Sequence, residues 1–458
     1  MLQALQSVVS LLLGAGALIL GNGLVGIVLP VRMSLEGVPT QVAGLVMSAY
    51  YGGLVLGCLW ARGLIGIVLP VRMGLEHVPT QISGLVMSAY YAGLVLGCLW
   101  GRGIIVRVGH IRAFAAFAAV VAATTLIYPL WFNPVAWGVW RAIGGFCMAG
   151  LFATIESWLN LRSSKETRGQ ILSLYMVTSY LASTLGQLLV NVWDVKGIEL
   201  FCLGDMLLSL SLVPVVLTRV TGPDISHTVP LSMLRLYQIS PLGVAASLGS
   251  GLISGAFYGM GAVFAAAIGM SVFAISVLMA AAMIGGLVMQ WPIGWLSDRY
   301  DRRTVLLWVL IAIATICMIA FTISRVPDPT RWLLVLTGLF GGVAATVYPL
   351  AVAHAFDYVE RDQMVSASAG MLLSWAIGAT AGPILASEAM AVGGVWALFL
   401  FLAGVAGLLA VFVRYRMSRR AARPAGEQAK FAPRGEATVV AGALDPRAEL
   451  QGSTPRPA

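Results

Sequence analysis

The chain has 458 residues, 59% of them hydrophobic and only 10% charged, with 28 Lys and Arg against 19 Asp and Glu. A soluble protein carries about 25% charge, so this composition excludes an ordinary soluble domain. Apolar runs of about 20 residues likewise exclude the alternating segments of a membrane β-barrel.

Mean hydropathy is +0.90, and the pattern predicts an all-α polytopic membrane protein. Much of the formal charge of +9 is concentrated at one end. From Arg414 onward nine Lys and Arg outnumber four Asp and Glu. This reads as a solvated basic tail against a lipid surface, with no nucleic-acid partner implied. Cys58, Cys98, Cys147, Cys202 and Cys317 all fall inside apolar runs without a C-x-x-C spacing, so they read as packing residues. The four histidines form no metal-binding motif. No metal, cofactor or enzymatic constellation is expected. Residues 1–22 lack a basic leader region and are read as part of a first span.

An internal repeat follows. Residues 23–62 and 63–102 differ at seven of forty positions, and the only harsh change sets Gly37 against His77. The repeat fits a membrane badly. Gly63 to Val71 offers nine apolar residues between Arg62 and Arg72, about 14 Å of helix against a hydrocarbon core of about 30 Å. One copy is therefore read as surplus, a recent tandem duplication or an error of the sequence record. An added re-entrant element is the other reading.

With one copy counted, twelve spans are predicted at 8–31, 81–100, 113–132, 135–157, 171–192, 198–217, 241–264, 272–293, 304–324, 332–352, 365–387 and 393–413. Alternate loops separate by charge. Arg102, Arg107, Arg112, Arg162, Lys165, Arg168, Arg219, Arg235, Arg299, Arg302, Arg303 and Arg361 fall on one side, which places both termini in the cytoplasm. The polar stretch 218–240 divides residues 1–217 from 241–413 as two six-helix bundles, and 414–458 reads as a disordered cytoplasmic tail. Trp131, Trp137, Trp140, Trp291 and Trp295 lie near span ends as interfacial anchors.

The segment Gly294-Trp295-Leu296-Ser297-Asp298-Arg299-Tyr300-Asp301-Arg302-Arg303 reads as a short charged turn between two spans. Its pattern resembles the loop signature of the major facilitator superfamily, echoed in the first half by Gly101 to Arg112. Ile155-Glu156-Ser157-Trp158-Leu159-Asn160, Arg168-Gly169-Gln170 with Gly186-Gln187-Leu188-Leu189, Gln290-Trp291-Pro292-Ile293-Gly294 and Tyr348-Pro349 resemble a group of bacterial inner-membrane permeases within it. The resemblance implies the major facilitator fold of two six-helix bundles (12 TM). It also implies a bacterial inner (plasma) membrane location and a secondary transporter that rocks its halves around a central solute site. In the family loop an acidic residue caps a helix and basic residues clamp the neighbouring bundle, which assigns these roles to Asp298, Arg299, Arg302, Arg303 and Arg107. Two positions depart from the pattern: Val106 where the first-half loop has its acid, and Asp301 where the second has glycine. The fifth span lacks the proline that similar drug/proton antiporters carry, and Gly378 to Pro383 is the nearest equivalent.

Charges inside spans are costly, so each is a candidate for function. Arg141, in a stretch resembling the family's R-x-x-x-G motif, Glu156, fifteen residues on, and Asp205 are the proton-coupling candidates. The expectation is that Glu156 or Asp205 exchanges a proton while Arg141 tunes it; a static ion pair is the alternative. Gln187, Asn191, Tyr258, Gln290 and Tyr348 are candidate solute-lining residues, with interhelical bonding the commoner use of such groups. His354, Asp357 and Glu360 read as solvated helix-end groups. The expected function is proton-coupled transport of an unidentified small solute by a monomeric protein in a lipid bilayer. The rivals are a non-transporting membrane sensor or scaffold and an inactive product of the duplication.

Overall fold

The computed structural model describes residues 59–131, 133–162, 168–217, 231–323, 326–360 and 363–419. The predicted first span at 8–31, the first repeat copy as far as residue 58, and the tail beyond 419 lie outside the described residues. Described residues form helices and short connections, with no strand among them.

Helix α1 is described over 59–75. Then follow α2 (Thr80–Val108), α3 (His110–Leu130), α4 (Pro134–Arg162), α5 (Arg168–Leu188) with a 3-10 turn at Leu189–Asn191, and α6 (Glu199–Leu217). A short helix, Met233–Ile239, capped by the Ser232 hydroxyl, lies before the second half. That half holds α7 (Pro241–Ala267), α8 (Val272–Arg299), α9 (Arg302–Thr322), α10 (Thr330–Phe356, broken at Ala345 and Thr346), α11 (Met364–Gly393) and α12 (Ala397–Arg419). Among the described residues, nine helices are long and apolar enough to cross a membrane.

The two halves repeat one packing scheme. In the first, α2 packs on α4 and α3 on α6; in the second, α8 packs on α10 and α9 on α12. The remaining pairs also correspond, since α1 meets α5 where Gly186 faces the Trp60 backbone, and α7 packs on α11. These crossings are close because glycines remove side chains from the contact. Gly251 and Gly255 of α7 face the α11 backbone, and Gly378 and Gly382 of α11 face that of α7. Lipid tails are as apolar as leucine, so such close backbone packing, rather than water expulsion, holds membrane helices together. The predicted Gly378 to Pro383 element is thus a packing seam.

Four expectations are corrected. First, Gly63 to Val71 is not an isolated short segment but lies inside a helix described over 59–75. The helix runs through both arginines, because the end of the first copy supplies its preceding turn. Arg62 stacks over the Phe152 ring at 5.4 Å and Arg72 over Phe201 at 5.7 Å. A guanidinium held against protein aromatic faces does not enter hydrocarbon.

Second, the Gly294 to Arg303 segment is helical up to Arg299, and only Tyr300 and Asp301 break it. Asp301 caps the next helix: its Oδ1 accepts from the Arg303 amide at 3.1 Å and its Oδ2 pairs with Arg303 Nη2 at 2.9 Å. An aspartate at the family's glycine position is thereby explained as an N-cap. Arg302 turns inward within its own half to Asp357, so it clamps α9 to α10. Asp357 and His354 are buried, which overturns their reading as solvated groups.

Third, Trp137 is 1% exposed and donates its Nε1 to the Trp131 carbonyl at 2.9 Å, so it is a core residue rather than an interfacial anchor. Trp131 and Trp291 are exposed, as anchors would be. Fourth, α12 continues to Arg419, carrying Arg414, Arg416 and Arg419 on a helix where a disordered tail was expected from 414.

Candidate functional site: the cavity between the halves

The halves meet through α2 with α11 and α5 with α8. At the end opposite the arginine-rich turns, Gly84 of α2 abuts Ser387 and Pro383 of α11, and Gly74 after α1's last buried turn faces Ala266 of α7. There too Asn191 Nδ2 donates to Ser276 Oγ of α8 at 2.8 Å. Nearer the arginine-rich end, Gln290 Nε2 of α8 donates to the Tyr180 hydroxyl of α5 at 2.9 Å.

Between these contacts lies a central cleft of two adjoining chambers. The upper one, about 120 Å³, is lined among others by Tyr90, Tyr91, Tyr128, Arg141, Gln187 and Met279. The lower one, about 90 Å³, is lined by Phe152, Tyr175, Ser179, Tyr180, Phe257 and Phe340, among others. Arg62, Ser183, Tyr258 and Met283 border both. The upper chamber is thus built mainly by the first half and closed by residues of α7 and α8, whereas α7, α8 and α10 supply half of the lower one.

The predicted site residues separate. Arg141 lines the upper chamber, is 7% exposed and stacks over the Tyr90 ring at 4.5 Å. Glu156 is fully buried and accepts a hydrogen bond from the Tyr175 hydroxyl at 3.3 Å, so it touches the lower chamber through that tyrosine. Fifteen residues separate the two along α4, about 22 Å of helix rise. Direct tuning of Glu156 by Arg141 is weak at that range. Asp205 is half-buried on α6 and lines neither chamber. Gln187 and Tyr258 line the cavity, whereas Asn191 and Gln290 bond across the halves and Tyr348 packs its ring on Trp375. Arg107, Asp298 and Arg299 are exposed, with Arg299 over the Trp295 ring at 4.2 Å.

Sequence reasoning missed Tyr90, Tyr91, Tyr128, Tyr175 and Arg62. Tyr90 and Tyr91 sit in the repeated Ser-Ala-Tyr-Tyr segment, whose doubling drew notice while its chemistry did not. Among the described residues, no three His, Cys, Asp or Glu side chains gather as a metal site.

Comparison with known proteins agrees with this architecture. The sequence profile described as "Major Facilitator Superfamily" matches residues 239–448. The "Uncharacterized MFS-type transporter Ent638_1421" of Enterobacter sp. (strain 638) is 30% identical over 406 residues, covering 88% of this chain and 93% of that protein. The "Uncharacterized MFS-type transporter YcaD" of Escherichia fergusonii is 30% identical over 422 residues, covering 92% and 98%. The crystal structure of the nucleoside transporter NupG superposes with a TM-score of 0.69 at 16% identity, covering 82% of this chain and 99% of that one. That of a D-xylose-proton symporter gives 0.62 at 12% identity, covering 81% and 97%. The chain belongs to the major facilitator superfamily and is a membrane transporter by that membership.

Proposed function

We propose that this protein is a secondary transporter that moves a small solute by alternating access, coupled to protons through Glu156. The observation carrying this reading is the cleft between two like-packed halves, with contacts between the halves at the end opposite the arginines. In this reading α1–α12 all span the membrane. The arginine-rich end and both termini face the cytoplasm of a bacterial cell, and the protein works as a monomer. The conformer is then closed on the outer side. Glu156 is the proton-exchanging group, since a fully buried carboxylate with a tyrosine hydroxyl partner can change charge without leaving its place. Arg141 acts on the solute, and Asp205 stands outside the path. Among the structural neighbours, one is a nucleoside transporter and one a D-xylose-proton symporter, which supports a small organic solute as cargo.

The test is flux in proteoliposomes with and without a pH gradient. Glu156→Gln should abolish accumulation driven by the gradient while leaving exchange of labelled for unlabelled solute. Gradient-driven accumulation that survives in Glu156→Gln would remove this residue from coupling. Solute binding without any flux would favour a sensor on the same fold.

A further inference from the structure

The upper chamber is organised around Arg141, a cation without a counter-ion among the described residues. Arg141 is 7% exposed, its Nε is buried without a hydrogen-bond partner, and its Nη2 reaches only the Met87 sulfur at 4.0 Å. It also stacks over the Tyr90 ring face, and it makes no ion pair among the described residues. A buried charge left in this way is costly, and a fold retains one where a ligand completes it. Two more polar atoms of the same lining are unsatisfied: the Tyr90 hydroxyl and Gln187 Oε1.

We infer that the central cavity binds a small organic monoanion, a carboxylate on an apolar body, with Arg141 as its anion-binding residue. This deepens the transporter reading above and rests on it. Guanidinium N–H groups meet a carboxylate in matched geometry, and the Tyr90 hydroxyl supplies a further donor. Gln187 Oε1 accepts from a hydroxyl or amide on the solute body. The body rests against Ile65, Ile67, Val121 and Leu208. The lining carries two guanidiniums, but Arg62 is engaged over the Phe152 ring, which leaves Arg141 to balance one negative charge. A phosphate monoester, carrying nearly two, would leave charge uncompensated in an apolar wall.

The test uses the purified full-length protein in nanodiscs, with thermal unfolding as readout at fixed ionic strength. The probes are benzoate, phenylacetate and hexanoate, against benzamide, benzylamine and phenyl phosphate. At least one carboxylate should stabilise the protein while benzamide, benzylamine and phenyl phosphate do not. Arg141→Gln should weaken that carboxylate by at least about tenfold, the loss expected for a charged hydrogen bond, and Arg141→Lys should weaken it less. Equal stabilisation by benzoate and benzamide overturns the inference. So does failure of all three carboxylates, or unchanged binding in Arg141→Gln. If Arg141→Gln does not fold, Arg141→Lys and Tyr90→Phe carry the comparison. Binding needs no flux: carboxylate binding without flux would sink only the transporter reading, and flux of a neutral or cationic solute without carboxylate binding would sink only this one.

Discussion

Arg302 and Asp357 form a closed unit at the base of the second half. Nη1 of Arg302 lies 2.9 Å from Asp357 Oδ1 and donates at 2.7 Å to the Ala353 carbonyl, with the two side chains 1% and 4% exposed. The pair ties the first turn of α9 to the last turn of α10. Removing one partner strands a buried charge, so Asp357→Ala should destabilise by about 3–5 kcal/mol. Replacing both, as Arg302→Met with Asp357→Leu, should restore most of it. Thermal unfolding of the two variants in one detergent checks this, and equal losses in both would refute it.

The Asn191–Ser276 hydrogen bond joins α8 to the chain just after α5 at the closed end. Cysteines at both positions, in a chain cleared of its own five cysteines, should oxidise readily to a disulfide. Transport should stop on oxidation and return with reductant. Full transport by the cross-linked protein would mean that this end does not open during the cycle.

His77, in the turn between α1 and α2, has φ of 54°. A side chain with a Cβ is strained there, and the first repeat copy carries Gly37 at the matching position. His77→Gly should therefore raise stability, by about 0.5–1 kcal/mol. A fall in melting temperature would show that the imidazole makes contacts worth more than the backbone strain.

Deleting residues 23–62 joins Asn22 to Gly63 and puts Leu-Ile-Leu-Gly-Asn where Cys58-Leu-Trp-Ala-Arg62 now stands. The replacement is apolar except at its end, so α1 should still form and the shortened chain should keep its melting temperature within a few degrees. It loses Arg62 from the border of both chambers. A changed solute preference with retained folding is the expected outcome of parallel unfolding and binding assays. Loss of the folded protein would show that residues of the first copy are structurally required.

Much of the fold was legible because its cause is local. Apolar runs set α2–α12 to within a few residues at most ends. Where helices overran their predicted ends, charged residues stayed helical: Asp298 and Arg299 end α8, and Arg414, Arg416 and Arg419 end α12. Long basic side chains reach out of a helix end without breaking it, and hydropathy alone registers only their charge. The site was legible in part. Arg141, Gln187 and Tyr258 were found as polar groups in apolar runs, but the partition of Arg141 from Glu156 depended on depth along α4, which a helical wheel discards. Asp357 was misread because its partner Arg302 lies 55 positions away, a pairing that only tertiary packing sets. The tyrosines of the chamber escaped because an aromatic in a membrane span is ordinary, and only enclosure by many helices makes it a wall.

Four methionines, Met87, Met148, Met279 and Met283, border the upper chamber. Their unbranched thioether chains bend to fit irregular neighbours at little cost. With the proposed carboxylate seat at Arg141, a wall of this kind would be strict about charge and lenient about outline. Carboxylates with tails of quite different form should then compete for one seat with similar affinities, giving a carrier whose cargo is a chemical family rather than one compound.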